Sequence, residues 1–257
     1  MYSETLELTR GYVATIANDD SPENPFDAWD CQPPIAVLNW ERYHAKLENY
    51  KGDELTLHNL LSYIPTEKWT SRAGKREILA ALPFPMEEIR EEMRWGTYSP
   101  CFKDAIDSLV YSLAPSDWSE WIEYFDAMQA LAAIAGIPCH LTQSNGYSQG
   151  DSALVFTAAL PEWVESMKID AERAKGICES AADLWSAWAW GDVYGVSEII
   201  SPDGEEVDDA SCWGFYGDHK TSGLMEHCES AINHHIKYLA KEAQESHAAA
   251  CMDIATV

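Results

Sequence analysis

Negative charge is distributed unevenly along this chain of 257 residues, and this distribution is the strongest constraint on what the chain can fold into. Residues 104–219 contain 21 acidic and three basic residues, whereas residues 41–103 contain ten of each. The net charge of the whole chain is −26. Because like charges repel one another in a compact state, an excess of this size usually reflects a partner or a medium rather than a requirement of folding.

The charge balance also excludes classes of function. Nucleic acids and anionic membranes are bound through basic surfaces, and this chain has 17 Lys and Arg against 43 Asp and Glu. We therefore expect a basic protein surface as the partner, and no direct contact with nucleic acid or membrane. General adaptation to high salt is disfavoured, because a salt-adapted surface would be acidic throughout and residues 41–103 are neutral.

Cysteine usage and the N-terminal sequence predict a cytoplasmic location. The seven cysteines are odd in number and widely spaced, and no C-x-x-C occurs, which favours reduced thiols. The first residues are neither basic nor followed by an apolar run, so no signal peptide is predicted. No stretch reaches about 18 uninterrupted apolar residues, so no membrane span is expected.

Hydrophobic periodicity predicts an α+β fold, in which an antiparallel sheet of hairpins packs against several helices. Residues 4–17 indicate one or two strands, and residues 35–40 a short one. Hairpins are predicted over residues 139–160 and 193–216. The second turns at Ser201-Pro202-Asp203-Gly204, because Asp-Gly between two alternating runs is a strong hairpin signal.

Helical spacing is typical of most of the remaining chain. It prevails over residues 41–136, and the clearest helix is predicted from Pro161 to Trp190, followed by a last helix over residues 222–243. No repeat or linker divides the sequence. We therefore expect one α+β domain over residues 1–257, with a helical middle at about 41–136 and a hairpin and helix part at about 137–257.

The helix predicted over residues 161–190 carries the most regular acidic pattern. At about 100° per residue, four of its acidic side chains fall within about 40° of one another, well away from the apolar face. A second row is predicted on the preceding helix. Rows of carboxylates on rigid elements can imitate DNA, which carries a charge about every 3.4 Å along each strand, although a surface kept acidic for solubility would look the same. The first row is Glu165, Glu172, Glu179 and Asp183, and the second is Asp117, Glu120 and Glu123.

A glycine-flanked serine offers an alternative, catalytic interpretation. Gly146-Tyr147-Ser148-Gln149-Gly150 matches G-x-S-x-G, which is similar to the nucleophile elbow of α/β-hydrolases, including cutinases. His219 follows Ser148, and Asp192 or Asp203 lies between them, so the order Ser, Asp, His is satisfied. The flanking sequence predicts a turn between two strands instead, because a strand follows the serine where the elbow needs a helix.

No metal or other cofactor is predicted. His227 and His234, and likewise Cys228 and His235, are seven residues apart on the last helix and share faces. Zinc sites normally show closer pairs such as H-x-x-x-H, so these histidines are interpreted as half-exposed helix residues. Asp208-Asp209 flanks a hairpin turn and is interpreted as part of a solvated loop.

Several short segments, rich in turn residues and aromatics, form a recognisable set. They are Glu23-Asn24-Pro25 with Trp29-Asp30, Asn39-Trp40-Glu41-Arg42-Tyr43, Gly146-Tyr147-Ser148-Gln149-Gly150-Asp151, Gly191-Asp192-Val193-Tyr194-Gly195, Val207-Asp208 and Ser211-Cys212-Trp213-Gly214-Phe215-Tyr216-Gly217. This set resembles uncharacterised proteins of bacteriophages and mobile elements. The resemblance implies a phage-type accessory protein made in a bacterial cytoplasm and implies no activity. It favours a hairpin turn around Ser148. The chain departs from the pattern by inserting Asp209-Ala210 and by carrying Ser152 where glycine is expected.

Together these features favour a non-enzymatic acidic binding protein of phage type. We expect it to inhibit a host restriction or RNA-guided nuclease by presenting carboxylates where phosphates would lie. Two alternatives remain open: a hydrolase that uses Ser148, and an aromatic-rich structural or assembly protein built around residues 211–217.

Overall fold

The chain forms two compact units, which are described separately. Unit 1 comprises Met1–Asn24 and Ala187–Val257, and unit 2 comprises Pro25–Ser186. The single domain expected over residues 1–257 stays a prediction. The structure is a computed structural model that describes residues 3–28, 31–41, 44–50, 55–95, 101–145 and 152–254.

The described strands form two four-stranded antiparallel sheets, one in each unit. In unit 1 the strand order is β1-β2-β7-β8, and in unit 2 it is β4-β3-β6-β5. The predicted α+β fold is thus confirmed. The strands are β1 (Ser3–Glu7), β2 (Val13–Asn18), β3 (Ile35–Glu41), β4 (His44–Tyr50), β5 (Cys139–Asn145), β6 (Ser152–Ala158), β7 (Val193–Ile200) and β8 (Cys212–Tyr216).

Most of the described helices lie in unit 2. Several begin at side-chain caps: Thr56 accepts from the backbone N–H of Asn59, and Ser71 from that of Gly74. The helices are α1 (Pro25–Ala28), α2 (Leu57–Ser62), α3 (Thr66–Thr70), α4 (Arg72–Ala81), α5 (Met86–Trp95), α6 (Phe102–Ser112), α7 (Trp118–Ala135), α8 (Pro161–Met167), α9 (Ala171–Trp190) and α10 (Leu224–Ile254).

Unit 1 packs one helix against its sheet. Ile16 of β2 and Ile199 of β7 are fully buried. Helix α10 contributes Leu224, Cys228 and Ile232, which are spaced by four residues and therefore lie on one helix face in this core. Unit 1 thus has a small core, built mainly of short and branched side chains together with Tyr12.

Unit 2 buries both faces of its two central strands. Phe156 of β6 faces the main core, where it joins side chains of several helices, Phe125 of α7 among them. The neighbouring Thr157 points to the opposite face, and its hydroxyl donates to the carbonyl oxygen of Cys178 in α9 at 2.9 Å. Burial on both faces explains why β3 and β6 are continuously apolar rather than alternating.

One strand inside the predicted helical middle was missed. Residues 44–50 form β4, which pairs in register with β3, and the next described helix begins at Leu57. Strand β4 lies at the sheet edge and carries Lys46 and Glu48, and such charged edge strands lack the alternation that identifies half-buried strands. The helical interpretation of this part was therefore wrong.

The predicted continuous helix over residues 161–190 is also corrected, because it is two helices. Helix α8 ends at Met167, since Lys168 adopts a left-handed conformation with φ of 53°. Helix α9 then begins at Ala171, where the Asp170 carboxylate accepts from the backbone N–H of Arg173 at 2.8 Å. The carboxylate caps a new helix start, which the smooth apolar periodicity did not reveal.

Candidate functional site

Helix α9 presents an acidic face. Glu172, Glu179 and Asp183 are all exposed. They follow at i, i+7 and i+11, so they lie within about 40° of one another around the helix axis. Lys175 forms an ion pair with Glu179 at 3.9 Å, and both side chains are largely exposed, so the pair is weak. The face is therefore predominantly acidic.

Glu165 does not extend this face along the same helix. It is exposed, but it belongs to α8, on the other side of the left-handed Lys168. The angular argument that aligned Glu165 with Glu172 assumed uninterrupted helical backbone. The expected stripe of four carboxylates on one helix is therefore wrong, and three remain on α9.

Two residues of the second predicted row, Asp117 and Glu120, stabilise the start of α7. Asp117 is the N-cap of α7 and accepts from the backbone N–H of Glu120 at 3.0 Å. The Glu120 carboxylate in turn accepts from the backbone N–H and the hydroxyl of Ser116, and these hydrogen bonds hold its pKa below the usual range. The arrangement is a variant of the capping box, in which Glu120 bonds the residue before the N-cap, and it stabilises the start of the helix. Glu123 is exposed one turn further on and remains accessible to a partner.

The neutral and the acidic segment differ in how many of their carboxylates pair with lysine or arginine. Among the described residues of the segment 41–103, Lys46 pairs with Glu48, Lys68 with Glu77, and Arg90 with Glu87. Across the described part of residues 104–219, Lys175 and Glu179 form the single pair between a carboxylate and a Lys or Arg. The acidic segment is thus mostly uncompensated by neighbouring cations.

Of the predicted serine triad, the structure describes only the histidine and the two candidate aspartates. Ser148 lies outside the described residues. The ion-pair partner of His219 is Asp218, with Nδ1 and Oδ1 3.9 Å apart, rather than Asp192 or Asp203. The His219 ring also meets the Tyr194 ring edge-on at 5.8 Å between centroids. His219 therefore has a local packing role in unit 1.

The aromatic segment over residues 211–217 forms an edge strand. Trp213 of β8 is 46% exposed and lies against Gly195 of the neighbouring β7, where an added Cβ would come within 2.3 Å of the indole. The β7–β8 register shifts between Tyr194 and Val196, and Gly214 has φ of 84°. This irregularity interrupts the edge and disfavours pairing with another strand.

The α10 histidines and Cys228, which the sequence offered as possible metal ligands, have other contacts in the structure. Cys228 is fully buried in the apolar core of unit 1, and His235 Nδ1 lies 3.2 Å from the Tyr12 hydroxyl. His227 donates from Nε2 to the carbonyl oxygen of Ala210 at 3.0 Å. Over the described parts of the chain, no group of three or more His, Cys, Asp or Glu is arranged to hold a metal ion.

A cavity in unit 1 was missed at the level of sequence. Its volume is about 430 Å³, and it lies between the turn that carries Asp208 and Asp209 and one face of α10. The sequence identified these aspartates and the α10 histidines separately, as a solvated loop and as half-exposed helix residues. Only the fold brings them together, since more than 15 residues separate Asp209 from His227 along the chain.

Comparisons with known proteins identify no relative: no family model, curated protein or solved structure matches this chain. The resemblance to phage and mobile-element proteins therefore stays a prediction. None of the helices among the described residues combines the length and the apolar character needed to cross a membrane.

Proposed function

We propose that this chain is a non-enzymatic acidic binding protein of a phage or mobile element, acting in the bacterial cytoplasm. It inhibits a host restriction or RNA-guided nuclease by occupying the basic groove that normally holds nucleic acid. The observation that carries the proposal is the acidic face of α9, formed by exposed Glu172, Glu179 and Asp183.

The charge spacing on this face can be compared with that of DNA. At 1.5 Å per residue, Glu172 and Asp183 are about 16 Å apart along the helix axis. A DNA strand carries about five charges over that length. Three carboxylates reproduce the sign and direction of this field with lower density. Glu123 of α7 and Glu165 of α8 are exposed carboxylates of the same unit that add to the field.

Two of the carboxylates predicted for the interface are left out of the proposed contact set. Asp117 and Glu120 form the variant capping box of α7, so replacing them would disturb the helix as well as the surface charge. The test therefore concentrates on α9.

The experiment measures inhibition of duplex cleavage by purified restriction and RNA-guided nucleases. We expect competitive inhibition of at least one enzyme, relieved by added DNA or by salt. The triple variant Glu172→Lys, Glu179→Lys and Asp183→Lys should inhibit more than about tenfold less strongly at low salt, because three attractive charges become repulsive.

A matched control separates the α9 face from overall charge. Glu229→Lys, Glu242→Lys and Glu245→Lys changes the net charge equally, at exposed positions of α10 in unit 1. This control should inhibit within about threefold of the unaltered protein. An equal loss in both triple variants would overturn the assignment to α9, and no inhibition of any nuclease tested would overturn the proposed function.

A further inference from the structure

The cavity in unit 1 has an asymmetric lining. One wall is the acidic turn with Asp208 and Asp209, and the other is the α10 face with His227, His234, His235 and Tyr238. Among the described residues, the lining includes two carboxylates and no lysine or arginine. A cavity of this composition in a chain of net charge −26 attracts cations and repels anions.

The walls of the cavity are held in place by hydrogen bonds. The carbonyl oxygen of Ala210, which follows the two aspartates, accepts from His227 Nε2 at 3.0 Å and so ties the turn to α10. On the helix side, His235 is tied to the Tyr12 hydroxyl of unit 1 at 3.2 Å. The two walls are thus pre-organised, which lowers the entropic cost of binding a ligand.

The same hydrogen bond determines the chemistry of His227. A carbonyl oxygen only accepts, so Nε2 must carry the proton. In the neutral imidazole, Nδ1 is then an acceptor. The described lining thus holds two carboxylates, which only accept hydrogen bonds, beside groups that donate or accept, such as the hydroxyls of Ser230 and Tyr238.

Tyr238 adds an aromatic surface. It is 56% exposed, an unusual position for a large aromatic side chain, and it borders the cavity one turn beyond His234. An aromatic face next to carboxylates is the combination that binds organic cations, through cation–π attraction together with charge-assisted hydrogen bonds.

We infer that this cavity binds an organic cation, namely a guanidinium or ammonium group at the end of a flexible chain. Asp208 and Asp209 accept the N–H donors of the ligand, and Tyr238 covers its apolar stem. The two possible sources are an arginine or lysine side chain of another protein and a free polyamine. This inference concerns unit 1 alone and does not depend on the proposed function of the α9 face.

The experiment follows the imidazole signals of the full-length protein by NMR during titration. The probes are a blocked Gly-Arg-Gly peptide, its lysine counterpart, its neutral citrulline counterpart and spermidine. We expect saturable shifts of His227 and His234 with a cationic probe and none with citrulline. A response to the peptides assigns the site to a protein side chain, and a response to spermidine alone assigns it to a polyamine. No saturable response to any cationic probe would overturn the inference.

A pair of double variants separates the cavity from diffuse attraction. Asp208→Asn with Asp209→Asn should weaken binding by about tenfold, because charge-assisted hydrogen bonds are lost. Asparagine is chosen because Asp209 has φ of 56°, a conformation that asparagine tolerates well. Glu205→Gln with Glu206→Gln removes the same charge from exposed positions of the same connection outside the cavity lining. Equal weakening by both pairs would overturn the inference.

A third variant tests the aromatic contact. Tyr238→Leu keeps an apolar side chain at an exposed position, so folding should be unaffected. Binding should weaken about two- to fivefold, the size of an exposed cation–π contact. Unchanged affinity in this variant would contradict the part assigned to Tyr238.

Discussion

Unit 1 contains 18 acidic and four basic residues among 95, whereas unit 2 contains 25 and 13 among 162. Unit 1 thus carries a net charge of −14 and unit 2 one of −12, so the charge per residue is about twice as high in unit 1. Within unit 2 the excess falls almost entirely on residues 104–186, which hold 13 acidic and three basic residues. Acidity is therefore a property of both units, arranged differently in each.

The core is larger in unit 2, although the charge per residue is lower there. Unit 2 buries large side chains, Phe125 and Phe156 among them, on a sheet covered on both faces. Unit 1 has a smaller core in which Ile16, Ile199 and Ile232 are among the largest apolar side chains. Charge density in this chain therefore does not increase with the size of the hydrophobic core. The unit with the smaller core tolerates the higher charge density.

The largest expected effect comes from truncating one large buried side chain in each core in turn. Phe156→Ala in β6 should destabilise unit 2 by about 3–5 kcal/mol, because a large buried ring is replaced by a cavity. Ile16→Ala in β2 should destabilise unit 1 by about 2–5 kcal/mol. Native-state hydrogen exchange measures both, with β6 amides reporting on unit 2 and β7 amides on unit 1.

We expect each loss of protection to stay within its own unit. The comparison between the units would break down if Phe156→Ala lowered protection in β7 as much as in β6. That result would show that the two units unfold as one cooperative body, and their charges and cores would then have to be considered together.

A second expected effect concerns the buried thiols, one in each core. Burial raises the pKa of the Cys178 thiol in unit 2 to about 12 and that of Cys228 in unit 1 to about 11. Thiolate is the reactive form. At pH 9, alkylation by iodoacetamide should therefore be slower in native than in denatured protein by about a thousandfold for Cys178 and about a hundredfold for Cys228. Peptide mass spectrometry gives the rates, and denatured protein gives the reference.

The same shifts predict how stability depends on pH. A thiol whose pKa is raised on folding contributes its full stability below the unfolded value of about 8.5. That contribution is lost as the pH rises toward the folded value. Both units should therefore lose stability in alkali above about pH 9, and Cys178→Ala should reduce this pH dependence in unit 2. Comparable alkylation of Cys178 and Cys228 in native and in denatured protein would contradict the burial of both thiols.

Much of the local structure was predictable from sequence, and the misses have physical causes. The turn at Ser201-Pro202-Asp203-Gly204 was recognised because Gly204 supplies the required positive φ, which is 85° in the structure. Gly136 ends α7 in the same left-handed conformation, which is typical of glycine at the end of a helix. Lys168 adopts this conformation without being glycine, so sequence alone gave no sign of the break after α8.

The candidate sites were predictable only in part. The acidic residues of α9 follow from helical spacing, so that face was expected. The capping role of Asp117 has no separate signal in the sequence, because the neighbouring Ser116 is also a residue type that caps helices. The cavity of unit 1 depends on a tertiary contact between the 208–209 turn and α10, and no spacing rule reports such a contact.

The smallest expected effect decides how many carboxylates one helix of unit 2 presents. Lys168 has φ of 53° and ψ of 45°, a conformation that costs a residue with a Cβ about 1–2 kcal/mol and glycine nothing. Lys168→Gly should therefore stabilise unit 2 by about 1 kcal/mol, measured by denaturant unfolding. If residues 161–190 formed one continuous helix, the same change would destabilise it by about 1 kcal/mol, because glycine is unfavourable inside a helix. Lys168→Ala is the control, since it removes the same charge without relieving the backbone. If Lys168→Gly destabilises unit 2, the helix is continuous and Glu165 belongs to a row of four carboxylates. If it stabilises unit 2, the helix is interrupted and α9 carries three.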